Sequence, residues 1–454
     1  MTKEKAISEK TSLFQLSWPI FVETLLAMLI GNVDTIMLSN YSDTAVGAVS
    51  NANQILNLLT LMFSIIASAT GVVVAQYLGA KLYDKLSEIY SVSVGFNLVI
   101  SGVISLAIMI FGKGMLRLIK IPDSLLTEAN SYLVILGGFI FLQAMFNTFT
   151  QIFRSNGKTK IGMIISLLVN VANIFGNYLF LYGPLRFLNL GVKGVAISSV
   201  VSRMIALGIA IYFFVKYIPG NISMKYFKKF PVHTLKKLLL IGIPSAGESI
   251  SYSISQICIM SFVNMLGLVA VNAKAYASVL TNFAYVFSVS MAQGMQILVG
   301  HYVGAGKEDV AYKRVLKTLR VAIILSFLLA TINYIISPYT LQIFTKNKET
   351  LELAVKVMAL DIFLEFGRAT NLVVIQSMRA AGDVKFPTYL GMASMWGVSV
   401  LLGYVFGIVF HFGLLGVWFA MALDEWVRAI IVYIRWKKGG WRGKAVVEKT
   451  VAEG

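Results

Sequence analysis

Two carboxylates lie inside a long apolar stretch near the N-terminus. Residues 18–39 read WPIFVETLLAMLIGNVDTIMLS, with Pro19 near the start, Glu23 inside and Asp34 near the end. An ionised carboxylate in hydrocarbon is costly, so such residues face a partner or an aqueous cavity and are functional candidates. Glu23 and Asp34 are eleven residues apart, about three helical turns, and therefore project from nearly the same side of a helix. That side is predicted to face water or polar partners.

The same pattern returns 225 residues later, where Pro244 and Glu248 repeat the spacing of Pro19 and Glu23. Further matches at this offset include Val46/Val271, Asn57/Asn282, Tyr77/Tyr302, Gln151/Gln376, Arg154/Arg379 and Gly157/Gly382. One register kept through intervening loops indicates a duplicated chain. Past the fourth loop the offset becomes 222, which pairs Gly191 and Gly194 with Gly413 and Gly416.

Two features of this repeat carry functional hypotheses. A proline inside a helix removes a backbone hydrogen bond and bends it, so Pro19 and Pro244, which lie inside predicted spans, are candidate hinges. Their repetition favours a shared role for Glu23 and Glu248 at a cleft. Pairing with a basic residue is the structural alternative.

Composition places the chain in a membrane. It is 57% hydrophobic and only 13% charged, with a mean hydropathy of +0.77. Twelve apolar windows of about twenty residues, the length of a membrane-spanning helix, lie between residues 13 and 435. Six spans per half give both halves the same orientation, related by an axis along the membrane normal. The predicted fold is an all-α integral membrane protein with twelve transmembrane helices in two pseudo-two-fold related six-helix bundles.

Three regions follow from the duplication. Residues 1–218 form a predicted N-lobe of six helices, and residues 238–454 form a C-lobe of six helices with a basic tail. Residues 219–237 join them. This linker is basic and contains Pro219, Gly220 and Pro231, so a solvated cytoplasmic loop is expected.

The net charge of +18 is explained by basic residues at the membrane surface and does not indicate nucleic-acid binding. With the N-terminus in the cytoplasm, 27 of the 39 Lys and Arg residues lie on the cytoplasmic side, 9 lie outside, and Arg203, Arg368 and Arg428 fall within spans. This is the positive-inside pattern. It predicts a multi-pass protein of the cell membrane with both termini cytoplasmic.

Charged residues also recur within two later spans. Each set combines acids with an arginine at helical spacing: Asp361, Glu365 and Arg368 in the tenth span, and Asp424, Glu425 and Arg428 in the twelfth. Acids and arginine together in hydrocarbon imply mutual pairing. Either these are static ion pairs that hold the helices together, or Glu365 or Asp361 titrates during transport.

Other chemical signals are weak. GKT at residues 157–159 has Ile152 where a phosphate loop needs its first glycine. The three histidines, His233, His301 and His411, are isolated, so no metal site or cofactor is predicted. No nucleophile with a partnered base is visible, which argues against an enzyme.

At this point the sequence resembles the multidrug and toxic compound extrusion (MATE) family, part of a superfamily that includes lipid-linked oligosaccharide flippases. The resemblance rests on WP followed by Asp34 in NVDTIML, on VNVANIFGNYLFLYG (169–183), and on FRSNGKTK (153–160) with its copy MRAAGDVKFP (378–387). It covers nearly the whole chain. It implies an efflux antiporter of two lobes that alternates between outward-open and inward-open states, driven by protons or sodium.

The resemblance also implies a cation-coupling site in the N-lobe. Asp34 matches the first-helix acid, Asn173 the fifth-helix amide and Ser199 a sixth-helix hydroxyl, while Asn177 stands where many members have a second acid. Sodium favours several oxygen ligands, and one carboxylate supplies less charge than two. No cationic neighbour of Asp34 is evident in this site, so proton coupling through Asp34 is favoured.

The predicted function is a cation-coupled (H⁺ or Na⁺) antiporter that exports small amphipathic, cationic organic compounds and acts as a monomer. A lipid or lipid-linked oligosaccharide flippase is the alternative. Flippases of that kind carry a basic cavity for pyrophosphate, whereas three arginines within spans here stand against seven acids. A membrane-embedded enzyme would require a motif that the sequence lacks.

Overall fold

The computed structural model describes residue 7 and residues 11–447, and for residues 29–32 and 43 it describes the backbone alone. The predicted cytoplasmic ends of the chain lie outside this part. Within it the elements are helices, which in the first half are α1 (Leu13–Ser39), α2 (Asp43–Gly79), α3 (Tyr83–Leu118), α4 (Asp123–Gly138), α5 (Ile140–Ser155), α6 (Thr159–Leu181) and α7 (Val192–Tyr217).

The series continues with a short helix in the linker and then the second half of the chain. Its helices are α8 (Lys225–Lys228), α9 (Val232–Met265), α10 (Leu268–Gly304), α11 (Glu308–Thr340), α12 (Lys348–Ala380), α13 (Lys385–Ser394), α14 (Leu401–Tyr404) and α15 (Gly413–Lys437). A wider π-helical segment at Met395–Val400 joins α13 to α14, and a second at Val405–Val409 extends α14, so that together they form one span.

The predicted twelve spans are present when the more polar helices are counted together with the apolar ones. Among the described residues, eight helices are long and apolar enough to cross a membrane, and α4 with α5 adds a ninth as a pair bent by 44°. The remaining three are α9, α12 and α15, whose buried charges and polar residues lower their hydropathy. The predicted all-α fold is confirmed.

The described chain forms two compact units. One contains Val22–Gly242 and the other contains Ser12–Phe21 with the residues from Ile243 onward. Helices α1 and α9 therefore each contribute to both units, and each changes unit within three residues of its internal proline, Pro19 or Pro244. The three predicted regions and the hinge role of the prolines stay predictions.

Pro338 also lies inside a spanning helix, in the last turn of α11. Part of the linker packs along α3, although most of its residues are exposed, and its solvated cytoplasmic placement stays a prediction. The backbone N–H groups of Asn221 and Ser223 donate to the hydroxyls of Ser87 and Ser91 at 3.0 Å and 2.9 Å.

Candidate functional site: polar clusters within the spanning helices

A polar cluster in the first unit joins α1, α6 and α7. Asn173 and Asn177 lie one turn apart on α6, so their amides project from the same side of that helix. The amide nitrogen of Asn177 donates to Asp34 Oδ1 at 2.6 Å, and that of Asn173 donates to the Ser199 hydroxyl at 2.9 Å. Asn177 is fully buried. The four residues predicted from the resemblance therefore lie together.

Small residues allow α6 and α7 to approach closely at this cluster. A Cβ on Gly176 would collide with the Ser198 side chain, so a larger residue would separate the two helices. The Ser198 hydroxyl donates to the backbone oxygen of Asn173 at 3.0 Å. Glycine and serine here bring Ser199 within hydrogen-bonding distance of Asn173.

The expectation that Asp34 has no cationic neighbour is wrong. Arg203, one turn after Ser199 on α7, interacts electrostatically with Asp34 and with the Tyr132 hydroxyl. Tyr132 is buried and is hydrogen-bonded to Asn53. The spacing of Arg203 from Ser199 was a usable signal, because residues four apart lie on the same side of a helix.

Glu23 and Glu248 form equivalent ion pairs, one in each unit. Arg154 Nη2 lies 3.0 Å from Glu23 Oε1, and Arg379 pairs with Glu248. Thr388 also donates to Glu248 Oε2 at 3.0 Å. The residues matched at an offset of 225 therefore make the same ion pair in each unit, which agrees with the pairing alternative. The cleft role of the two glutamates stays a prediction.

A larger cluster in the second unit combines four acids with two arginines. On α12, Arg368 pairs with Glu365, and its Nε lies 3.9 Å from Glu425 Oε1 on α15. On α15, Arg428 pairs with Asp424 and lies 3.2 Å from Glu425. Asn371 donates to Glu425 Oε2 at 2.7 Å. The six predicted charges therefore share one region, with two more carboxylates than guanidinium groups.

Five buried oxygens in these clusters have no hydrogen-bond partner among the described residues: Glu23 Oε2, Asn177 Oδ1, Asp361 Oδ1, Glu365 Oε2 and Asn371 Oδ1. Buried polar atoms are normally satisfied, so such oxygens are places where a proton or cation could bind. No group of three or more His, Cys, Asp or Glu side chains placed to hold a metal ion occurs in the described part.

Comparison with known proteins defines the class. The MatE family matches residues 19–179 and 244–405, once in each half. The chain belongs to this family of membrane transporters, and it is not an enzyme. The two matched segments begin at Pro19 and Pro244, in agreement with the internal repeat.

Among curated relatives, the uncharacterized transporter YisQ of Bacillus subtilis is 41% identical over 448 residues, 98% of each chain. The probable multidrug resistance protein NorM of Thermotoga maritima is 27% identical over 465 residues, covering 99% of this chain and 97% of its own. A crystal structure of MATE in the bent conformation matches with a TM-score of 0.89 at 17% identity, over 97% of this chain and 98% of that one. These matches confirm the family and the fold.

Proposed function

We propose that this transporter is a proton-coupled antiporter that exports small amphipathic organic cations by alternating access. Its membership of the MatE family and its similarity to a probable multidrug resistance protein support export of organic compounds. The observation that carries the coupling proposal is the contact between Asn177 and Asp34. It brings one carboxylate into a buried polar network that spans three helices.

The geometry favours a proton over sodium. Sodium requires several oxygen ligands around one point. Here the amide nitrogen of Asn177 faces Asp34, and the Asn173 amide nitrogen faces Ser199. Arg203 adds positive charge nearby, which opposes protonation of Asp34 and sodium binding alike, so the preference rests on the number of ligands. A proton needs only the carboxylate oxygen.

The charge of the interior favours cationic cargo over a pyrophosphate-linked lipid. Arg154 and Arg379 pair with two of the seven acids, Glu23 and Glu248, so they join the three arginines within spans in this comparison. Each of these five arginines interacts with a carboxylate. Because their positive charge is paired with acids, these five arginines give the flippase alternative less support.

Efflux from proteoliposomes tests the proposal. Organic cations and neutral compounds would be tested under separate pH and sodium gradients. We expect a pH gradient alone to drive export of the cations. Asp34→Asn should abolish gradient-driven efflux while substrate binding persists, because a neutral amide cannot exchange the coupling proton. A proton shifts the equilibrium between two conformations only if it binds them with different affinity.

The matched control is Asp84→Asn, which removes an exposed acid from the first turn of α3. It should transport normally. If Asp34→Asn also pumps normally under a pH gradient, the assignment to the first unit is wrong, and the acids of α12 and α15 become the leading candidates.

A further inference from the structure

A cavity of about 390 Å³ lies between α11, α12 and α15 in the second unit. Its size falls within the range of ligand pockets, roughly 300–1,000 Å³. Apolar and aromatic side chains form most of its lining: Leu316, Leu319, Ile323, Phe366, Trp426, Ala429, Ile430 and Tyr433, with Gly367 and Thr370. Phe366 and Ile430 are exposed at its opening, so the cavity is reached from outside the helix bundle.

The wall of the cavity is flat and hydrocarbon-like. The rings of Phe366 and Trp426 stack with their centroids 5.2 Å apart and their planes 3° from parallel. The Trp426 indole N–H donates to the backbone oxygen of Phe363 at 2.8 Å, so its polar group is already satisfied. Gly367 permits the close approach of α12 to α15, since a Cβ there would lie 3.1 Å from the backbone nitrogen of Trp426. Such a surface suits an aliphatic chain.

Two basic side chains also line this cavity, Arg320 and Lys437. Arg320 is the last charged residue of α11, and the following residues 321–343 are uncharged. Lys437 ends α15. Both therefore lie where the apolar part of a helix meets its polar end. Neither forms a salt bridge within the described chain, in contrast with Arg435, which pairs with Asp383 at 2.8 Å.

We propose that this cavity is a binding site for an anionic glycerophospholipid. The phosphate binds between Arg320 and Lys437, and one acyl chain lies along Phe366, Trp426 and Ile430. Basic pockets between helices at a membrane surface recognise anionic lipid headgroups. The two cations disfavour an exported organic cation in this place. The occupied cavity would pack against the turns of α12 and α15 that carry the acid and arginine cluster.

Native mass spectrometry of the full-length protein in detergent tests the site. The protein would be titrated with phosphatidylglycerol and, separately, with phosphatidylcholine. We expect one phosphatidylglycerol to be retained at concentrations where phosphatidylcholine is not. Basic residues near an anionic headgroup strengthen its binding, so the double variant Arg320→Gln/Lys437→Gln should weaken retention about tenfold or more.

The matched control, Lys313→Gln/Lys317→Gln, removes the same charge from exposed positions of α11 that do not line the cavity. It should retain the lipid. An equal loss in this control would overturn the proposal, because the attraction would then be general and not local.

A second variant tests the acyl-chain part without changing charge. Ile430→Trp fills an exposed part of the cavity and should reduce phosphatidylglycerol retention while the melting temperature stays near that of the wild type. Glycerol 3-phosphate, which has the headgroup phosphate without acyl chains, should not displace the lipid. Displacement by glycerol 3-phosphate, or unchanged retention by Ile430→Trp, would overturn the assignment of a lipid.

Discussion

At the residue scale, Asn177 and Asp34 form a direct contact that a single substitution can reshape. Asn177 is fully buried, and its Oδ1 has no hydrogen-bond partner within the described residues. A second carboxylate here would add negative charge beside Asp34, and cation sites gain affinity with the number of charged oxygen ligands. This position therefore decides how much charge the first-unit cluster offers to a coupling ion.

We expect Asn177→Asp to increase the sodium sensitivity of efflux. The added carboxylate and the existing one would together balance a sodium ion, even beside Arg203. The measurement is substrate efflux from proteoliposomes under a sodium gradient at constant pH. A response identical to that of the wild type would show that the cluster does not bind the coupling ion.

The pair formed by Glu248 and Arg379 supports a prediction about stability. The two side chains are largely but not fully buried, at 15% exposure for Arg379 and 13% for Glu248. Removing one member of a fully buried ion pair leaves an uncompensated charge and costs about 3–5 kcal/mol, so this is the upper bound for the pair. Glu248→Gln should therefore lower the thermal stability of the detergent-solubilised protein strongly. The double variant Glu248→Gln/Arg379→Met should regain most of it, since no lone charge remains.

The control for this pair is Glu352→Gln, an exposed acid on the helix that carries Arg379. It should leave the melting temperature nearly unchanged. A double variant as unstable as Glu248→Gln alone would mean that the two residues do not act as a pair.

At the scale of elements, the last spanning helix of each half starts from a glycine in the left-handed region. Gly191 has φ of 48° before α7, and Gly413 has φ of 63° at the start of α15. These are the glycines paired by the shifted offset of 222. The duplication thus preserves a backbone turn as well as sequence.

Alanine at either glycine should destabilise the protein, because an L-residue in the left-handed region costs about 1–2 kcal/mol. Gly191→Ala should cost more than Gly413→Ala, since its Cβ would lie 2.8 Å from the Tyr41 hydroxyl, whereas the Cβ at Gly413 meets open space. Thermal unfolding measures both. Gly208→Ala, inside α7 with open space around it, is the control and should not destabilise. Equal losses at all three positions would contradict this account.

At the scale of the whole molecule, orientation follows from the distribution of basic residues. The positive-inside rule predicts that residues 220–232 are cytoplasmic and residues 40–45 are external. We expect a membrane-impermeant thiol reagent to label Asn40→Cys in intact cells, and to label Lys229→Cys only after the cells are opened. Both positions are exposed, and Cys258 would first be replaced by alanine. Labelling of Lys229→Cys from outside would reverse the topology.

The sequence by itself determined the membrane class, the twelve helices and the duplication, because hydropathy and repeat spacing are local properties that read directly along the chain. It also identified the residues of the first-unit cluster, through the resemblance.

Only the tertiary structure decided which charges meet. Arg154 and Arg379 looked like loop residues at the ends of spans, yet they pair with Glu23 and Glu248 through contacts more than 130 residues apart. Arg203 became a neighbour of Asp34 only because α1, α6 and α7 pack together. Pairing of buried charges depends on helix packing and rotation, which no linear pattern in one sequence specifies.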